Sequence, residues 1–373
     1  SLHDALPISS NTDNVKDFSY LFNWCSGLNK IDFSNVSTAN ATAMAEMFNG
    51  CTSLNSVTFG SGWSKWLDDA YLPTSTWENA SKGLSLSAEE LYIYAQSNDI
   101  SGQWLRDIGK AYGVLNSWGE LIFVRSFNDY ENGASGTLVD RNGIEYTGRI
   151  FAGVEDTPFS ETMPWSGYED DIKYVYANDE IHPKNMYKWF YGCNNLQTFT
   201  SSHFDTSQVQ YMTEMFYECY NLTNASFDAF DTSEVKSFGG MFRSCENLTS
   251  LDLSHFETGN VETMYYMFEE CISLTSLNLS GFDTSNTVYM QGMFYDCEKL
   301  QYLDLSSFDT ANVQNMREMF DSCDCLSTVV LGTGWTTWIS NAYLPEGEWK
   351  NASLGLVKTQ IELYNEYPEN ASI

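Results

Sequence analysis

Apolar residues recur along this chain with a period of 26, most plainly from Asn178 to Thr333. Phe190, Phe216, Phe242, Phe268, Phe294 and Phe320 form one column, and Cys193, Cys219, Cys245, Cys271, Cys297 and Cys323 form another. Within one copy, Val261, Met264, Met267, Phe268 and Cys271 stand at i, i+3, i+6, i+7 and i+10, which predicts one face of a short helix. Leu277 and Leu279 then alternate with Ser276, Asn278 and Ser280, the period of a strand with one buried face. Each copy thus predicts a strand and a helical turn. Thr258, with its Thr counterparts in other copies, precedes the predicted helix, where its hydroxyl caps free N–H groups. The Phe before it (Phe230, Phe282, Phe308) folds back as a staple.

A lone copy does not bury enough apolar surface to offset the cost of ordering its backbone. Copies therefore stack, sharing an apolar layer and pairing their strands. A period between 20 and 29 residues carrying L-x-x-L-x-L is the mark of a leucine-rich solenoid. The expected fold is an α/β repeat: a leucine-rich-repeat-like solenoid with a parallel β-ladder and short helices, in two modules with β-rich and Trp-rich caps.

The order of segments follows from a second, longer repetition. Residues 1–8 read as adapter-derived rather than natural, and no initiator Met is present, so the chain reads as a fragment. Residues 9–61 carry two further copies (Phe22 and Cys25; Met47, Phe48 and Cys51), the C-terminal end of a first array. Gly62-Trp63, Trp66, Ala70-Tyr71-Leu72-Pro73 and Trp77 return 272 residues later as Gly334-Trp335, Trp338, Ala342-Tyr343-Leu344-Pro345 and Trp349. Segments 62–106 and 334–373 are therefore expected to be Trp-rich lids over the last coil of each array, the second one cut short. Ser87-Ala88-Glu89-Glu90 and Thr359-Gln360-Ile361-Glu362 match a capping box. Between the lids lie a linker and β-rich N-terminal cap, 107–177, and the second array, 178–333. In that cap Leu121-Ile122-Phe123-Val124 and Ile172-Lys173-Tyr174-Val175-Tyr176 predict strands, and Asn142-Gly143 a hairpin turn.

Charge narrows the partners. Fifty acidic against eighteen basic residues give a net charge of −32, which opposes phosphate backbones and anionic lipid. Nucleic acid is excluded as an expectation. No apolar run is long enough to span a bilayer. Eight of the nine Cys share one slot of the repeat, where a small buried hydrophobe explains them, so no disulfide framework or thiolate metal site is expected. His182, His203 and His255 stand isolated in sequence, and no phosphate loop, H-E-x-x-H or G-x-S-x-G occurs. No enzyme, cofactor or metal is expected. The Asp205, Asp231, Glu257, Asp283 and Asp309 column could offer Ca²⁺ ligands, but a solvated acidic stripe beside helix N-termini, where negative charge is favoured, explains it without metal.

The copies F-D-T-S-x-V-x-x-M-x-x-M-F-x-x-C-x-x-L-x-x-L-D-L-S, at 204–229, 230–255, 282–307 and 308–333, resemble the 26-residue repeat of BspA-like leucine-rich bacterial surface proteins and of mycoplasma lipoproteins. The G-W-x-x-W…A-Y-L-P segment resembles the piece that closes such arrays in gut Firmicutes. The resemblance implies a secreted or wall-attached, non-enzymatic protein for adhesion or protein interaction. It implies an extracellular or cell-surface location and a host or neighbouring-cell protein or glycan as partner. A monomer is expected. The strand face outside the core would present Asn224, Ser226, Ser250, Asp252, Ser276, Asn278, Tyr302 and Asp304. The alternatives are a carbohydrate-binding platform of Trp63, Trp66, Trp335 and Trp338, or a passive spacer. If the thiols sit in the core as expected, titration of unreduced, unfolded protein will find most of the nine; finding almost none would overturn that.

Overall fold

The computed structural model describes residues 12–67, 70–79, 81–106, 109–157, 162–336, 340–351 and 356–359. Residues 1–8, Trp338 and the Gln360-Ile361-Glu362 part of the second capping box lie outside them. The chain divides into two units, Ser1–Gly109 and Lys110–Ile373, each described by itself.

The 26-residue copies are coils whose apolar columns point inward: Val261, Met264, Met267, Phe268, Cys271, Leu274 and Leu279 are all buried, as are their equivalents in the second unit apart from half-buried Leu331. Phe216, Phe242, Phe268, Phe294 and Phe320 lie nearly parallel, each ring about 6 Å from the next in an offset stack. The interior is thus a dry ladder of like on like.

The backbone that carries these columns is not helical. Each described coil has two residues with positive φ four positions apart, such as Glu214 and Glu218, Tyr266 and Glu270, or Gly292 and Asp296. Right-handed helix cannot contain them. The stretch runs instead as successive turns. Odd-numbered N–H groups bond three residues back within the coil (Glu269 to Tyr266, Cys271 to Phe268), while the even ones leave it. Met264, Tyr266, Phe268 and Glu270 donate to the carbonyls of Tyr289, Gln291, Met293 and Tyr295 in the next coil, at 2.8–2.9 Å. A left-handed non-glycine residue costs about 1–2 kcal/mol; four inter-coil bonds, each worth about 0.5–1.5 kcal/mol, offset two of them. A turn repeating every four residues buries nearly the same spacing as a helix turning every 3.6, which is why the apolar pattern predicted a helix.

The Thr column has another task than the expected helix cap. Thr258 Oγ1 donates to Asp283 O at 2.8 Å and accepts from Asp283 N–H at 2.8 Å, clamping one coil to the next. Thr206, Thr232 and Thr284 make the same pair of bonds. All four are buried. The Cys column is similar: Cys271 Sγ donates to Phe242 O of the preceding coil at 3.2 Å, a bond that Ala could not make. All nine Cys are free, Cys25 and Cys325 exposed and the rest buried; burial pushes the Cys271 and Cys323 thiols up to about 12.

The strands pair in parallel but in separate groups among the described residues. In the second unit Glu120–Ser126, Tyr174–Ala177, Thr198–Thr200 and Asn224–Ser226 run parallel, and Lys110–Leu115, Glu145–Ala152 and Ser135–Val139 extend that sheet antiparallel. Ser250–Asp252 pairs with Ser276–Asn278, and Tyr302–Leu305 with Thr328–Leu331, as two further sheets. The expected hairpin forms, with Asp140 N–H donating to Ile144 O and Gly143 alone at positive φ, so its loop is longer than a two-residue turn. After the last coil, Glu318 and Phe320 N–H donate to Asn341 and Ala342 O. In the first unit Lys30–Phe33 pairs in parallel with Ser56–Phe59, which Gly102–Arg106, Thr76–Asn79 and Leu84–Ser87 continue antiparallel. There Phe48 N–H donates to Ala70 O. The helix Ala88–Ala95 opens with the expected capping box, Ser87 and Glu90 bonding each other's backbone.

Thr258→Val would strip the clamp and remove both hydrogen bonds that Thr258 makes to the Asp283 N–H and carbonyl. We expect a loss of about 1–3 kcal/mol in urea unfolding, with Thr258→Ser close to wild type; equal stability of the Val and Thr proteins would refute the clamp.

Candidate binding surface

The row named from the sequence lies outside the interior. Asn224, Ser250, Asp252, Ser276, Asn278, Tyr302 and Asp304 are exposed, and Ser226 is half-buried. Strand register aligns Ser250 with Ser276 and Asp252 with Asn278, but Asn224–Ser226 and Tyr302–Leu305 belong to other sheets, so the row comes in three blocks. Several of its members also fold the chain: the carboxylates of Asp252 and Asp304 accept from the N–H of Ser254 and Ser306 two residues on. The Ser306 hydroxyl and N–H at Asp304, and the Ser254 N–H and hydroxyl at Asp252, hold both carboxyls below their ordinary range.

The acidic column acts in the same way. Asp205, Asp231, Asp283 and Asp309 each accept from the N–H two residues ahead, tying a turn where a helix N-terminus was expected. Glu257 is exposed. Of the histidines, His203 and His255 bond the Ala177 and Phe227 carbonyls. His182 is not isolated: its ring lies 4.0 Å from Glu180 Oε2 and 3.5 Å from Asp205 Oδ2.

The Trp platform is not available to a sugar. Trp63, Trp66 and Trp335 are buried, Trp63 against Phe33 and Phe59 and Trp335 against Phe308, because the indoles fill the interior beyond the last coil. Trp338 lies outside the described residues.

Sequence reading passed over a second face, formed by the residues between the inward-pointing Met and Phe. Lys188 sits over the Tyr191 ring at 4.8 Å and 3.3 Å from Glu214. Arg243 lies between the Tyr217 and Tyr266 rings, at 4.8 and 5.4 Å, and pairs with Glu269 at 2.6 Å. Tyr266 covers Gly292, where a Cβ would fall 2.2 Å from the ring. The signal in the sequence was Tyr and cations at two phases of the repeat, Lys188 with Tyr266 and Tyr191 with Tyr217 and Arg243. Burial, opposed by Arg243 and reinforced by Glu270, Asp296 and Glu318, pushes the Glu269 carboxyl up to about 7.

A carboxyl raised from its ordinary value binds more protons in the folded state between pH 4.5 and about 7, so it makes stability fall as pH rises across that window. Glu269→Gln should remove that component: the stability gap between variant and wild type widens in the variant's favour by up to about 3 kcal/mol from pH 4.5 to pH 7.5. Urea titrations at several pH values check it, and parallel curves would refute it.

The family model described as Mycoplasma protein of unknown function, DUF285, matches residues 6–68, 184–278 and 252–338, together more than half of the chain. No curated protein matches. Among solved structures, a leucine-rich cell surface protein from Faecalibacterium prausnitzii A2-165 is 17% identical over 67% of this chain and 59% of that one, with a TM-score of 0.32. The chain thus spans about three fifths of that protein. A TLR13–ssRNA13 complex is 10% identical over 90% of this chain and 45% of that one, with a TM-score of 0.26.

Proposed function

We propose a binding role from the premise that this chain belongs to the DUF285 family of mycoplasma-type repeat proteins, the repeat its own sequence resembles. The role is non-enzymatic: a solenoid at a bacterial surface that holds a protein on the exposed strand face, in adhesion or contact between cells. Its two arrays would each be a module closed by its own terminal segments, with boundaries near those expected from the sequence. The observation that carries this reading is a contrast between columns. Positions 250, 276 and 302 are Ser, Ser and Tyr, and 252, 278 and 304 are Asp, Asn and Asp, while the buried columns beside them keep Met, Phe, Cys and Leu. Side chains freed from packing vary, and exposed polar rows with an aromatic are a surface on which specificity is written. Among the described residues, no helix is long and apolar enough to cross a membrane.

A second reading places the contact on the Tyr face, because Tyr and Arg are the residues that anchor protein interfaces. Binding of labelled protein to epithelial and bacterial cells decides between them. Ser276→Arg with Asn278→Arg and Asp304→Arg should cut binding at least tenfold, with Tyr217→Ala and Tyr266→Ala near wild type. The opposite pattern would move the site to the Tyr face, and no binding by the wild-type chain would refute the role.

A further inference from the structure

One register of the repeat departs from the rest, and it gathers metal-ligating side chains. The buried Thr column runs Thr206, Thr232, Thr258, Thr284 and Thr310, but one period earlier the position holds Glu180. Two residues on, where later coils carry Asn260, Asn286 and Asn312, stands His182. Those Asn side chains donate to backbone carbonyls of the preceding coil, as at Asn286 and Gly259 O. Without the Thr hydroxyl, Asp205 N–H donates to Ile181 O instead, and Ile181 pairs with Phe204 in a parallel bridge. Glu180 and His182 thereby flank Ile181 on the strand and share one side of it. Asp205 meets them from the next coil.

Geometry suits an ion. One ligand atom from each of Glu180, His182 and Asp205 can be chosen so that all three lie within 4.8 Å of one another. The His182 Nδ1 to Asp205 Oδ2 separation of 3.5 Å is close to the edge, about 3.4 Å, of a tetrahedron with bonds of about 2.0–2.1 Å. Asp205 Oδ1 accepts from Ser207 N–H, and Oδ2 faces the ring. The backbone beneath is held from several sides. Buried Arg125 donates Nε to Glu180 O at 2.5 Å and its N–H to Asp179 Oδ2 at 2.9 Å, and its guanidinium pairs with Glu155. Glu155 in turn accepts the His182 N–H at 2.5 Å, and Arg141 pairs with Asp179 at 2.8 Å. A backbone held this way keeps the Glu180 and His182 side chains projecting from fixed points.

We propose that Glu180, His182 and Asp205 bind one divalent transition-metal ion, zinc best matching an imidazole with two carboxylates, and that the ion staples this strand to the next coil where the Thr clamp is missing. An imidazole ligand favours zinc over Ca²⁺ or Mg²⁺, which take oxygen.

The test is calorimetric titration of the full chain with ZnCl₂ in millimolar Mg²⁺, which saturates adventitious carboxylates. Cys25→Ser and Cys325→Ser remove the exposed thiols as competing ligands. One Zn²⁺ per chain is expected. His182→Gln and Asp205→Asn should each weaken binding at least tenfold, while Asp231→Asn, the same column one coil on, leaves it unchanged. Circular dichroism confirms that each variant is folded, and Co²⁺ substitution should give the visible bands of a tetrahedral site that His182→Gln loses. No saturable heat in the parent protein, or undiminished binding by folded His182→Gln, would overturn the site.

Discussion

Everything in the repeat depends on a ladder of backbone hydrogen bonds between coils, one-way along the Met-Phe-Cys stretch. There, alternate N–H groups point toward the next coil and alternate carbonyls toward the previous one, as Phe242 to Met267 and Phe268 to Met293 show, while just before it Glu262 N–H donates back to Lys236 O. Along that stretch the array has an acceptor edge at its start and a donor edge at its finish. Buried polar backbone must be paired, so the two ends need different chemistry. At the finish the partners are carbonyls, from Ala70 in one unit and from Asn341 and Ala342 in the other. At the start of the second array they are donors, with the Trp165 indole on Trp189 O at 2.8 Å and the Thr157 hydroxyl on Asn185 O.

The same ladder explains the monotony of the interior. Coils held in register bring identical side chains face to face, so Phe stacks on Phe and each Cys thiol reaches the carbonyl of the previous Phe. Substituting one rung disturbs its two neighbours as well. Outside, no such constraint applies, and the columns diverge from coil to coil. The positive-φ positions are the cost of turning the chain so sharply; glycine occupies several of them, at Gly50, Gly192, Gly240 and Gly292, and residues such as Glu270 and Ser322 occupy others.

Charge is distributed by the same logic. In a chain with net charge −32, one column of carboxylates runs through every coil from Asp205 to Asp309, and two cations pair with carboxylates of the next coil, Lys188 beside Glu214 and Arg243 beside Glu269. Where a Thr gives way to Glu180, the substitution adds a carboxylate to an existing one and sets His182 between them.

The stacked solenoid, its period, its buried columns, the strand row, the hairpin and the Ser87 capping box were all legible in the sequence, because each rests on local spacing or on which side chains avoid water. The conformation of the Met-Phe-Cys stretch was not. Helix and successive turns bury the same positions, and only the neighbouring coil, by accepting the N–H of Tyr266 and Glu270, makes left-handed residues affordable. The same holds for the Thr clamps, for indoles that proved to be interior and for the grouping of Glu180, His182 and Asp205. Each pairs residues a full coil apart, a proximity that exists only once the coils have stacked.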